Sequence, residues 1–243
     1  MSLKYNVLVT GATGAIGYAI AKKFKEQNHN VFVTGRNEEK LAKIKNEFDY
    51  SIALDLAQGG SYKTLSKEAE KVFGSVDVLV NNAGEYLWAP IEKTDFEQVE
   101  HLTKINFEVP YLLCSELVSG MKEKKFGRII NIASISGAVG EANATLYSAT
   151  KSALIGMTKS LALEVAENNI TVNIINPGWV DTELTHKALE NDEKLINETL
   201  DMIPQRRFIE PAEIASLALW LTSDGARGVT GQYINMCAGL SIG

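Results

Sequence analysis

The stretch Tyr5-Asn6-Val7-Leu8-Val9-Thr10-Gly11-Ala12-Thr13-Gly14-Ala15-Ile16-Gly17 decides how the rest of the chain is read. Tyr5–Val9 is a short apolar run, the pattern of a strand covered on both faces. From Ala15 to Gln27 the apolar residues recur at helical spacing. Between strand and helix lies a turn built on Gly11, Gly14 and Gly17. Such a turn lets the backbone approach a diphosphate, and the helix behind it offers free N–H groups and a partial positive charge. A glycine string alone is weak evidence, since tight turns also use glycine. With a strand before it and a helix after it, it predicts dinucleotide binding by Gly11, Thr13, Gly14, Ile16 and Gly17.

The alternation continues along the chain. Tyr5–Val9, Val31–Thr34, Ser51–Leu54, Val76–Val80, Arg128–Ala133, Thr171–Ile175 and Gln232–Asn235 read as strands. Ala15–Gln27, Glu38–Phe48, Phe96–Lys124, Tyr147–Asn168 and Ala212–Thr222 read as helices. This predicts a doubly wound α/β fold, a seven-stranded parallel sheet between two helical layers. No Pro/Gly/Ser-rich linker or repeat divides the chain. Residues 1–243 therefore read as one dinucleotide-binding (Rossmann) domain. The charged, weakly periodic stretch Glu183–Arg207 reads as a helical lid over a site.

Composition narrows the class. Hydrophobic residues make up 45% and charged residues 22%, which excludes a disordered or collagen-like chain. The 24 basic and 30 acidic residues leave a formal charge of −6, against a nucleic-acid partner. Cys114 and Cys237 make no disulfide framework, and a reducing cytoplasm fits. No apolar run approaches the ~18 residues of a membrane span, and no signal-peptide pattern precedes the first strand. His29, His101 and His186 are scattered, which argues against a metal site and a Ser-His-Asp hydrolase.

Further candidates sit at the ends of strands. The second ends Val33-Thr34-Gly35-Arg36. An NAD site usually places an acid here for the ribose 2′-hydroxyl, whereas Arg suits a 2′-phosphate. NADP(H) is thus favoured over NAD(H), unless Arg36 is merely a solvated loop residue. Asp55, at the end of the third strand, either accepts from the adenine amino group or caps the next segment. Asn81-Asn82-Ala83-Gly84 follows the fourth strand, at the edge where open α/β sheets bind ligands. Tyr147 and Lys151 share one helical face. A free Tyr titrates near pH ~10, and a neighbouring ammonium favours its phenolate and makes it useful for proton transfer. Tyr18 and Lys22 repeat the spacing. Only Tyr147 has a serine, Ser134, 13 residues before it at a strand end, placed to hold a carbonyl oxygen.

Together these strings resemble the short-chain dehydrogenase/reductase family over essentially the whole chain. They are Thr10 to Gly17, Asn81 to Gly84, Asn106 within Ile105 to Pro110, Ser134, Tyr147 to Lys151, and Pro177-Gly178-Trp179-Val180-Asp181-Thr182. The resemblance implies reversible, NADPH-dependent reduction of a carbonyl to a secondary alcohol. In it Tyr147 is the general acid/base. Lys151 lowers the Tyr147 pKa and bonds the nicotinamide ribose, and Ser134 orients the carbonyl. Asn106 kinks its helix and holds a water. Pro177, Gly178, Val180 and Thr182 line the nicotinamide side, Asn82 and Gly84 sit near the ribose, and Ala83, Asp55 and Leu56 count among the cofactor-binding residues. On the residues alone, Asn106 can equally be an ordinary helix polar residue, Ser134 a strand-end cap and Thr182 a helix N-cap.

Some features depart from the family pattern. Ala15 replaces the usual middle glycine, and Gly14 stands where NADP-dependent relatives often carry a basic residue. The NADP expectation therefore rests on Arg36, with Thr13 and Thr34 hydroxyls as helpers. The chain is similar to 3-oxoacyl-acyl-carrier-protein reductases in length, in Phe126 to Asn131 and in Ile203-Pro204-Gln205-Arg206-Arg207. It has Glu85-Tyr86-Leu87-Trp88 where those carry an Ile-Thr-Arg-Asp-like string. Arg128 matches one carrier-docking position, but Glu167-Asn168-Asn169 occupies the other. Tyr86, Leu87 and Trp88 suggest an apolar or aromatic substrate, unless Trp88 packs under the lid. Expected partners are a small carbonyl or alcohol substrate or an acyl thioester, and a second copy of the chain. The family commonly pairs its two long helices into a tetramer. Leu112, Leu113, Leu117, Leu154, Met157 and Leu161 serve either that contact or the core. A non-catalytic NADP-binding sensor is the third reading, and such members typically lose the Tyr or Lys.

Overall fold

The computed structural model describes residues 4–242. Its strands are β1 (Asn6–Val9), β2 (Asn30–Gly35), β3 (Tyr50–Ala53), β4 (Val78–Asn81), β5 (Gly127–Ile132), β6 (Ile170–Pro177) and β7 (Tyr233–Met236). They pair in the order β3-β2-β1-β4-β5-β6-β7, all parallel. All seven expected strands are present, with ends displaced by at most two residues. The helices are α1 (Ala15–Glu26), α2 (Glu38–Ile44), α3 (Ser61–Phe73), α4 (Phe96–Thr103), α5 (Val109–Lys124), α6 (Ser136–Val139), α7 (Thr145–Val165), α8 (Glu183–Ala188), α9 (Glu193–Met202) and α10 (Pro211–Leu221).

Strand alternation builds the three layers. Val7 and Val9 of β1 face one side, where Ile20 and Phe24 of α1 and Ile214 and Ala218 of α10 cover them. Leu8 faces the other side, against Leu65 of α3 and Leu113 and Leu117 of α5. The order reverses between β1 and β4, so a crevice opens at their carboxyl ends. Glycine turn, Asn81 to Gly84 and Ser134 all lie along that edge.

The helices differ from expectation in two places. The sequence pattern does not mark α3, whose buried side is a narrow stripe of Ser61, Leu65, Ser66 and Ala69. Phe96–Lys124, expected as one helix kinked at Asn106, is interrupted at that residue by a π-helical turn, Lys104–Glu108. Proline explains it. Pro110 has no N–H for the Asn106 carbonyl four residues earlier, and its ring would crowd that carbonyl. The chain widens instead, and the Val109 N–H bonds the Lys104 carbonyl. The expected lid stretch folds as α8 and α9, with Leu200 and Ile203 packed on the α1–α10 side. Leu113, Leu117 and Leu154 are buried and Met157 and Leu161 are half-buried against the cores, whereas Leu112 is half-buried outside them. Tyr111 of α5 and Leu163 of α7 are the exposed apolar groups there. No helix among the described residues is long and apolar enough to cross a membrane.

Candidate active site

The glycine turn is locked to the end of β4. The Thr10 hydroxyl accepts the N–H groups of Asn82 and Ala83, each at 3.0 Å. Asn82 Nδ2 donates to the carbonyls of Thr10 (2.9 Å) and Gly11 (3.2 Å). Gly11 has φ +69°, and a Cβ there would come 2.8 Å from Ala83 Cα. Only glycine takes that conformation in that space without strain. Gly14 caps α1 without a side-chain hydrogen bond, so the first N–H groups of the helix keep their capacity for an anion. Ile16 packs on the α1–α10 core.

A cleft of about 290 Å³ opens beside this turn, lined by Thr13, Gly14, Ala15, Tyr18, Lys40 and Lys43 among others. The uncapped helix suits a diphosphate, and two lysines of α2, which no sequence motif marks, supply positive charge. The residues present fit a phosphorylated dinucleotide. Arg36 is exposed and pairs with Glu85, which also faces His101 at 3.2 Å. Arg36 is thus neither bare nor free in this state. Thr34 corrects one expectation. Its hydroxyl is fully buried and donates to the Ile52 carbonyl at 2.9 Å, so it cannot help with a phosphate. Asp55 takes the capping role here, accepting from Ala57 N at 3.0 Å and Gln58 Nε2 at 3.2 Å. Leu56 beside it is buried.

The second group of residues converges at the carboxyl ends of β4 and β5. Asn106, wholly buried in the π turn, accepts the Glu85 N–H at 2.8 Å through its Oδ1. Its Nδ2 donates to the Glu85 carbonyl (2.9 Å) and to Thr150 Oγ1 (3.1 Å). It thereby ties the chain after Gly84 to α7. Gly84 also sits in confined space, for a Cβ there would lie 2.9 Å from Asn106 Oδ1 and 3.1 Å from Lys151 Nζ. Lys151 Nζ donates to the Ile132 carbonyl at 3.2 Å and lies 5.7 Å from the centre of the Tyr147 ring.

Burial sets the protonation states. Lys151 is 5% exposed, and loss of water pulls its pKa down to about 8. Tyr147 is pushed up to about 12, first by burial and further by the Glu141 carboxylate, against a hydrogen bond from Ser134 that lowers it. This runs opposite to the expected depression by Lys151, whose ammonium points to a backbone carbonyl rather than to the phenol. Tyr147 is therefore held protonated, the form that donates.

Ser134 belongs to a chain of polar groups unforeseen in the sequence. Its hydroxyl meets that of Ser136 at 3.1 Å and accepts the Ser136 N–H at 3.2 Å. Ser136 donates to Glu141 Oε2 at 2.6 Å, and Tyr86 donates to Oε1 at 2.6 Å. No motif marks Glu141, because only the fold brings Tyr86 to it.

On the remaining side, Pro177 ends β6 and the Gly178 N–H bonds the Met236 carbonyl at 2.9 Å. Val180 is buried and bridges to Ile209. Thr182 is the N-cap of α8, accepting the Thr185 N–H at 3.2 Å. Trp88 is 61% exposed, so it packs under no lid. Arg128 is 2% exposed, donating to the carbonyls of Gly127 (2.8 Å) and Asn169 (2.9 Å) and lying against the Phe126 ring. It cannot greet a carrier protein from there.

A family model described as enoyl-(acyl carrier protein) reductase, adh_short_C2, matches residues 11–241. The chain belongs to the short-chain dehydrogenase/reductase family. Membership makes it an NAD(P)-dependent oxidoreductase acting on CH–OH or C=O groups. It is 37% identical to the oxidoreductase YxjF of Bacillus subtilis, over 97% of this chain and 98% of that one. It is 35% identical to the 3-oxoacyl-[acyl-carrier-protein] reductase FabG of Vibrio harveyi, over 96% of each. Among solved structures it resembles a single-residue variant of the actinorhodin polyketide ketoreductase with NADPH, with TM-score 0.93, 32% identity and coverage of 98% and 99%.

Proposed function

We propose that this short-chain dehydrogenase/reductase is an NADPH-dependent carbonyl reductase. The observation that carries the reading is the convergence of Ser134, Tyr147, Lys151 and Asn106 at one sheet edge beside the uncapped glycine turn. When bound, NADPH supplies the hydride. Ser134 holds the substrate carbonyl oxygen, and Tyr147, kept protonated by burial, donates its phenolic proton to that oxygen. Lys151, 5.7 Å from the Tyr147 ring centre, turns from the Ile132 carbonyl to the phenolate left behind, and Asn106 holds Gly84 and Glu85 in place against α7. Arg36, Lys40 and Lys43 favour the 2′-phosphate of NADP(H) over NAD(H). That similar proteins include an NADPH complex and a 3-oxoacyl reductase supports the reading. Residues 183–207 serve as the lid, and α5 and α7, through Tyr111 and Leu163, as the contact between copies.

The test is NADPH oxidation with a panel of ketones and an acetoacetyl thioester, comparing wild type with Tyr147→Phe. Loss of the proton donor lowers kcat by about 10²–10⁴-fold. A Phe variant of full activity overturns the assignment. Relatives named as 3-oxoacyl reductases favour a second reading, an acyl-thioester substrate. The burial of Arg128 counts against docking of an acidic carrier at that point. Preference for the thioester over every simple ketone decides for the second reading.

A further inference from the structure

One charged side chain at the reacting end is left without a task by the reading above. Glu141 follows Gly140 in the loop between α6 and α7, where it reaches back over the end of β5. Its two oxygens each accept one hydrogen bond of 2.6 Å, from Tyr86 Oη and Ser136 Oγ. Both donors touch the reacting groups. Ser136 bonds Ser134 through its hydroxyl and its N–H. The Tyr86 ring stands edge-on to the Tyr147 ring, centres 4.9 Å apart at 81°. One carboxylate therefore braces a neighbour of the carbonyl-holding serine and a neighbour of the proton donor.

The charge of Glu141 is not compensated. Among the described residues, no Lys, Arg or His forms an ion pair with it. A carboxylate offers about four acceptor positions, and two neutral hydroxyls use only two of them. Its negative field reaches Tyr147, whose proton it helps to retain. Lys151 cannot offset it, being bound to the Ile132 carbonyl behind the ring. A substrate whose carbonyl lies between Ser134 and Tyr147 brings its next substituent into this field. A donor there finds open lone pairs. An anion there meets repulsion and the loss of its own hydration.

The geometry points to Glu141 as the residue that sorts substrates by charge. The site takes carbonyl compounds that carry a hydroxyl or ammonium group beside the reacting carbon, and it turns away those that carry a carboxylate in that position. The inference rests on the carbonyl-reductase reading and names its substrate class. Glu141 also acts as a positioning residue for Ser134, through Ser136.

Three ketones of one carbon skeleton test it: neutral, ammonium-bearing and carboxylate-bearing. Wild type is compared with Glu141→Gln and Tyr86→Phe. In wild type, kcat/KM for the ammonium ketone exceeds that for the carboxylate ketone by about tenfold or more. Glu141→Gln removes most of that ratio through KM, while its effect on Ser134 lowers kcat for all three ketones together. Tyr86→Phe keeps the carboxylate and keeps the ratio. A purely structural role moves the three ketones in parallel and leaves the ratio intact in Glu141→Gln, which overturns the inference. So does a wild-type preference for the carboxylate ketone, or a ratio lost equally in Tyr86→Phe. If wild type reduces none of the three, the carbonyl-reductase reading itself fails. If it reduces the neutral ketone without charge preference, only the sorting role fails.

Discussion

Lys151 is an ammonium kept almost wholly from water with one carbonyl for company. Its folded pKa of about 8 lies below the usual lysine value. A group depressed in this direction weakens the fold while it is protonated, and the weakening is complete below pH 8. As pH rises through 8 toward the unfolded value, the unfolded chain binds the extra proton and stability increases. Tyr147 works in the opposite sense, but only above the unfolded tyrosine value near pH ~10. Between pH 8 and 10 the Lys151 contribution therefore stands alone at this site. Denaturant melts of wild type and Lys151→Met over that window should show wild type gaining on the order of 2 kcal/mol relative to the variant. Parallel curves would mean that Lys151 is solvated in solution. This destabilising charge is retained where a proton is to move, a common trade at reactive sites.

At the scale of elements, the ends of β2 and β4 are joined across the crevice by the Arg36–Glu85 pair. Asn106 holds the Glu85 backbone by its N–H and its carbonyl, which sets where that side chain leaves the chain. A 2′-phosphate must replace that carboxylate at Arg36. Arg36 is exposed and Glu85 half-buried, and with solvent screening the pair is worth no more than about 1 kcal/mol. Glu85→Gln should accordingly tighten NADPH by about two- to fivefold and NADH much less, read by fluorescence titration. Equal gains for both cofactors would show that Arg36 does not meet the 2′-phosphate. The element boundaries themselves were well marked in sequence wherever apolar periodicity was strong, as in α1. They are lost in α3, whose buried stripe is mostly serine and alanine. The break at Asn106, expected from the family resemblance, comes from one proline rather than from the asparagine.

Across the whole molecule, two cores flank the sheet, and their value differs sharply from that of the apolar surface. Phe24 has no exposure and packs within the α1–α10 layer, whereas Trp88 is 61% exposed. Phe24→Ala should cost about 3–5 kcal/mol by chemical denaturation. Trp88→Ala should stay within about 0.5 kcal/mol. A large loss at Trp88 would place it against another part of the protein in solution. The same contrast decides Arg128. Its motif position suggested an exposed docking residue, but β5 is a central strand whose neighbours close over the guanidinium.

Local pattern was enough to set the layer architecture, the sheet's seven strands and the positions of the glycine turn, Ser134, Tyr147 and Lys151. Each of these depends on a feature written in neighbouring residues: a period of two or near four, a glycine between strand and helix, a Tyr and a Lys one helical turn apart. Folding settled the rest. Burial, which no linear pattern carries, raised Tyr147, lowered Lys151 and spent the Thr34 hydroxyl. Long-range packing joined Tyr86 to Glu141 and Arg36 to Glu85, residues 55 and 49 positions apart. Charge and hydrogen bonding act through space, and only the folded chain sets those distances.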